Sequence, residues 1–327
     1  MGIKKAFSVI TIIAIMAVSL CSCSSGKKSQ IPHRFASAEE GRELLLSNDE
    51  YFAQFTQNDI DFRMQKTGAT MDEYLEASAD LIDEFSAAEK SFINRVISKM
   101  EKTLEKNGYT LPSIDEIVFI KTSMSLESGA SGYTHGTQIY LSSDIISIYT
   151  YLSIIEGSDY IEELLWHELF HCLTRCNPDF REEMYSLIDF TVADSDFPLP
   201  PSVAEYHISN PDVEHHNSYA AFMIDGQEID CFTDMVTTAH FDEVQTTFFQ
   251  CDTTALIPID GTDIYYTPEQ ASNFDEVFGT NTGYVTDPEE CLADNFSYAM
   301  HYGIEGKDGQ GYPNPEIIQG IIDIVSR

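Results

Sequence analysis

The stretch EELLWHELFHCLTR, Glu162 to Arg175, decides how the rest of the chain is read. Its apolar residues Leu164, Leu165, Leu169 and Leu173, with Ile161 just before, recur at three and four spacing, which predicts a helix with one buried face. Asp159 followed by Glu162 fits a capping box at its start, and Asn177 with Pro178 fits a stop. On such a helix His167 and His171 are one turn apart on one face, so both imidazoles can reach one metal ion. Glu168 sits beside that face, where it can touch a metal-bound water. This is the HExxH pattern, in which two neutral nitrogens hold Zn²⁺ and a carboxylate takes a proton from the attacking water. Trp166 and Phe170 read as packing residues.

A catalytic zinc needs a third protein ligand and an open fourth position. Ten residues after His167, where a third histidine could follow, stands Asn177, with Thr174 in place of a turn glycine. The ligand therefore comes from elsewhere, and TDPEECLADNFSYAM, residues 286–300, is the best candidate. Asp287 as cap and Pro288 at the first turn open a second helix. On it Glu290 can ligate zinc, and Asp294, one turn on, can accept an N–H from a ligating histidine. The alternative for Glu290 is a capping-box glutamate. Glu289 is a fallback ligand, and Asp263 in DGTDIYY is a weaker rival.

These two helices resemble those of the gluzincins, zinc peptidases with HExxH on one helix and a glutamate on a later one. The likeness covers roughly residues 114–300, although the segment between His171 and Glu290 carries no alignable motif. The resemblance implies His167, His171 and Glu290 as ligands of one Zn²⁺ per chain, Glu168 as general base and Asp294 as support for a histidine. It also implies an oxyanion donor, with Tyr284 chosen over Tyr298 and His301, and makes TQIYLSS the edge strand on which a peptide would lie. The implied fold is α+β: a small mixed sheet with an edge strand, an active-site helix and a C-terminal ligand helix, preceded by a helical region.

Elsewhere the chain supplies context. IDEIVFIKTS and TQIYLSS have the β-branched, period-two character of strands, and SGASGYTHG between them reads as a loop that exposes His135. EEGRELLLSNDEYFAQF and residues 71–108 carry helical period, with Leu81, Phe85, Phe92 and Val96 on one continuous face and Gly108 as stop. His215 and His216 in ISNPDVEHHNSY read as loop residues with packing or surface roles.

The N-terminus pairs Lys4 and Lys5 with an apolar run from Ala6 to Leu20, too short for a comfortable span and typical of a secretory signal. Leu20 to Cys23 resembles the lipobox of bacterial lipoproteins, which implies acylation at Cys23 and a lipid anchor outside the cytoplasm. Residues 1–22 are then a signal peptide, 23–35 a tether holding His33, 36–108 a helical region and 109–327 the catalytic domain. A net charge of -36 over 327 residues, with 18 Lys and Arg, argues against a nucleic-acid partner. Of the five remaining cysteines, Cys172 and Cys176 are expected as buried thiols, Cys231 with Cys251 is a possible bridge, and Cys291 is unassigned.

The leading expectation is zinc-dependent hydrolysis of peptide bonds by metal-activated water at the outer face of a bacterial membrane. Two alternatives stand beside it: a non-catalytic surface lipoprotein using the fold for binding or assembly, and a zinc hydrolase acting on a non-peptide bond. Intact Glu168 argues against the first, since that residue is needed only for proton transfer.

Overall fold

The computed structural model describes residues 29–152 and 159–327. The signal segment and Cys23 lie outside the described residues. The architecture is α+β, organised around a mixed five-stranded sheet of β1 (His33–Phe35), β2 (Ile82–Asp83), β3 (Ile117–Thr122), β4 (Gly132–His135) and β5 (Gln138–Ser142). Along the main path the order is β1-β3-β5-β4, with β2 pairing antiparallel to β3. β1 and β5 flank β3 in parallel, and β4 pairs antiparallel with β5 to end the sheet.

β3 is buried along its whole length, as expected of a strand covered on both faces. Its side chains alternate between two cores. Ile117 and Phe119 pack with the histidine helix, Asp159–Cys176, and with the long helix Ala87–Asn107. Val118 and Ile120 pack with Leu45, Phe52 and Tyr74 from the N-terminal helices. The helical N-terminal region thus covers one face of the sheet, and the histidine helix covers the other.

Three local expectations change. The segment 71–108 is two helices, Met71–Asp80 and Ala87–Asn107, because β2 and a new Ser86–Glu89 capping box interrupt it. His33 is no solvated linker residue, since β1 joins the sheet and its ring bonds Ile31 O and Asn94. SGASGYTHG is a loop only in part: Gly132–His135 is β4, with His135 buried against Tyr51 and Tyr133. Consequently β4, and not TQIYLSS, is the edge strand; TQIYLSS supplies β5, held between β3 and β4.

The segment between the two site helices builds a second, antiparallel sheet of β6 (Thr191–Val192), β7 (Ser218–Ile224), β8 (Gln227–Thr237) and β9 (Asp252–Pro258). β7 turns into β8 at Asp225-Gly226, both with positive φ (49° and 76°), the backbone a two-residue hairpin requires. The five cysteines among the described residues are free thiols, and Cys176 is exposed where burial was expected.

Candidate metal centre

The histidine helix runs Asp159–Cys176 and ends before Asn177-Pro178, as its sequence suggests. The described part of the helix begins at Asp159, and Glu162 pairs with Lys99 (2.6 Å) and His301 (3.2 Å). Trp166, Phe170 and Leu173 are fully buried, so the helix cannot rotate and the two imidazoles share one direction.

The glutamate helix, Pro288–Tyr302, packs alongside. Asp287 caps it by accepting from Glu289 N at 2.8 Å, with Pro288 in the first turn. That frees Glu290 from any capping duty. Its Oε2 lies 3.1 Å from His167 Nε2 and 3.6 Å from His171 Nε2. Ligand atoms around tetrahedral zinc are about 3.3 Å apart for bonds near 2 Å, so these separations suit one ion. Tyr284 and Asn210 donate to Glu290 Oε1 at 2.8 and 2.6 Å and orient the carboxylate.

Both imidazoles are oriented from behind. His167 Nδ1 is 2.9 Å from Asp294 Oδ1, and His171 Nδ1 is 3.0 Å from Glu289 Oε1. Glu289, the fallback ligand, is therefore the counterpart of Asp294, itself held by Thr174 and Tyr185 at 2.6 Å each. With Nδ1 engaged, His171 Nε2 is fully buried and has no hydrogen-bond partner. A buried ring nitrogen left bare costs free energy unless something binds it. Together with the donor set of His167, His171 and Glu290, whose atoms lie within 4.8 Å of one another, this fits a metal ion.

Glu168 lies beside the group, at the cleft. Its Oε2 accepts from Thr134 Oγ1 at 2.7 Å, and a Cβ on Gly132 would come within 2.8 Å of Oε1, so β4 needs glycine there. Burial lifts Glu168 above the ordinary carboxylate range, countered by His167 and His171. Asp212 is raised as well, by burial first and then by Glu168 and Glu290. Glu290 moves the other way: burial alone would raise it, but His167 and His171 hold it at about 2. Tyr284 is raised by burial and by Glu290, so its phenol stays neutral and donates.

Of the residues expected here, His167, Glu168, His171, Glu290 and Asp294 come together. Tyr284 joins them through Glu290, its ring stacked near His167 at 6.3 Å. Asp263 is exposed and remote, bonded to Ser202 N. His301 faces Glu162, away from the centre. His215 is exposed beside Asp196, and His216 binds Asp234 at 3.1 Å. Sequence reading missed Asn210 and Asp212, both in the SNPD turn, where nothing but proximity in space marks them. It also missed Thr134, hidden in the presumed loop.

The group opens onto a cleft of about 300 Å³ between β4 and the glutamate helix, flanked by the partly exposed rings of Tyr160 and Phe249. Comparison of the chain with protein-family models, with curated proteins and with solved structures finds no match.

Proposed function

We propose that this chain is a zinc-dependent peptidase of gluzincin type. The observation that carries the reading is the bare, buried Nε2 of His171, facing the same point as His167 Nε2 and Glu290 Oε2. His167, His171 and Glu290 would hold one Zn²⁺. When bound, zinc supplies Lewis acidity toward a carbonyl and lowers the pKa of a water. Glu168 takes a proton from the attacking water and delivers it to the departing amine, a role suited to a carboxylate whose affinity for protons burial has increased. Asp294 and Glu289 keep both imidazoles in the tautomer that presents Nε2. Tyr284 faces the cleft, where its hydroxyl can turn from Glu290 toward a developing oxyanion. Support for the fold comes from the mixed sheet ending in an antiparallel edge strand above the histidine helix.

We place the protein outside a bacterial cytoplasmic membrane, anchored through lipid on Cys23. Cys23→Ser is expected to move it from the membrane to the soluble fraction.

Zinc analysis and digestion of a mixed peptide library test the central reading. The expected result is one zinc per chain, no zinc in Glu290→Ala, and full zinc with activity reduced on the order of 10²–10⁴-fold in Glu168→Gln. A chain that binds no zinc defeats the site. Zinc without cleavage of any peptide defeats the peptidase reading in favour of a binding protein or a hydrolase of another bond.

A further inference from the structure

The strand edge beside the metal centre is already half occupied by the chain itself. In an antiparallel ladder the backbone groups of alternate residues point to opposite sides. Ser131 O is bonded across to Ser142 N, so Thr134 and Gly136 present their N–H groups away from β5, where an added peptide strand would pair. Both are taken. Thr134 N donates to Asp212 Oδ1 and Gly136 N to Glu214 Oε1, each at 2.6 Å. The segment carrying these acids is pinned at both ends, by Arg175 on Glu214 (3.1 Å) and by Asn210 on Glu290 (2.6 Å). A peptide aligned on β4 can enter beside Gly132 and must stop at Thr134.

Charge decides which end of a peptide stops there. Among the described residues Glu163, Glu168, Asp212 and Asp294 border the cleft, and no Lys or Arg does. One divalent ion offsets only part of that charge, so a terminal carboxylate would be repelled and an ammonium matched. The Asp212 side chain is 9% exposed, and with Oδ1 on Thr134, its Oδ2 has no protein donor among the described residues. A largely buried carboxylate with a free oxygen at the cleft suits a cationic donor.

Building on the peptidase reading, we infer that the substrates are peptides with a free N-terminus, whose α-ammonium group docks on Asp212, and that the first residue is removed. Asp212 Oδ1 lies 3.9 Å from His171 Nε2. An α-nitrogen and the carbonyl carbon of its own residue are about 2.5 Å apart, so with the ammonium on Asp212, which is this close to His171, the carbonyl nearest the metal position is that of the first residue. A peptide placed this way runs antiparallel to β4. Hydrolysis breaks the C–N bond between residues one and two: the hydroxyl of water joins the carbonyl carbon, and its proton passes through Glu168 to the departing amine.

The full-length, zinc-loaded protein is tested on a mixed tetrapeptide library with free N-termini and on the same library N-acetylated. Release of the first residue from the free set is expected, with kcat/KM about a hundredfold lower or worse after acetylation. In Asp212→Asn, which keeps the size and the acceptor for Thr134 N, that discrimination is expected to collapse below about tenfold while one zinc per chain is retained. An NMR titration of the metal-free protein gives a readout without turnover: alanine amide shifts resonances at Asp212, and N-acetylalanine amide does not. Equal cutting of both libraries at internal bonds overturns the inference and leaves the peptidase intact. Loss of zinc from Asp212→Asn also overturns it, making Asp212 a metal ligand. Bound zinc with no cleavage of either library removes the peptidase reading and this inference together.

Discussion

Each residue at the centre has a task assigned by its neighbours more than by its type. Glu289 and Glu290 are adjacent carboxylates on one helix, yet one bonds His171 Nδ1 and the other faces His171 Nε2, toward the proposed metal position. The difference follows from the helical step, which turns successive side chains about 100° apart. Burial alone would raise Glu289, but the hydrogen bond and charge of His171 together with Arg175 and Arg181 outweigh it and keep the carboxyl below its ordinary range. Glu289→Gln is expected to weaken zinc binding by about 10–100-fold with the ligands intact, measured by competition with a chelator. Unchanged affinity would mean that Thr174 and Tyr185 hold His171 without that charge.

At the scale of elements, the site is an alignment of two helices and one strand. β4 approaches the histidine helix so closely that Gly132 has no room for a side chain: a Cβ would meet Glu168 Oε1 at 2.8 Å and Tyr140 O at 3.2 Å. Gly132→Ala is expected to push Glu168 off its bond with Thr134 and lower kcat by about tenfold or more, with zinc content unchanged. Steady-state kinetics beside metal analysis would show it, and a wild-type kcat would mean β4 yields instead. The histidine and glutamate helices were legible because both are amphipathic and carry stop or cap residues at their ends. β4 was not, because Gly and Ser around it imitate a loop, and only pairing with β5 makes Gly132–His135 a strand. Asp225-Gly226 was a usable hairpin signal for the second sheet.

Across the whole molecule, a buried polar network ties the second sheet to the segment that reaches the site. Asp234 on β8 bonds His207 at 2.7 Å and His216 at 3.1 Å, on either side of the stretch holding Asn210 and Asp212. Burial alone would raise Asp234, but the two histidines hold it at about 2. Burial would lower His216, yet the hydrogen bond with Asp234 raises it. For Asp234, a folded pKa below the unfolded value near 4 means stability that is complete above about pH 4 and lost as pH falls toward 2. For His216 the sign is opposite: its share is complete below about pH 6.5 and lost as pH rises through its folded value. Asp234→Asn should therefore cost about 2 kcal/mol between pH 4 and 6.5, and less toward pH 2, in urea unfolding across that range. A cost independent of pH would show that the pair acts through packing alone.

By itself the sequence determined the two helices and picked out His167, Glu168, His171 and Glu290, which the structure brings together, because helical period converts spacing into facing side chains within one element. Only tertiary structure decided which strand is the edge, and that Asn210, Asp212 and Glu214 lie against it and against Glu290. Those contacts join segments about 80 residues apart, and nothing local in either segment encodes the distance between them.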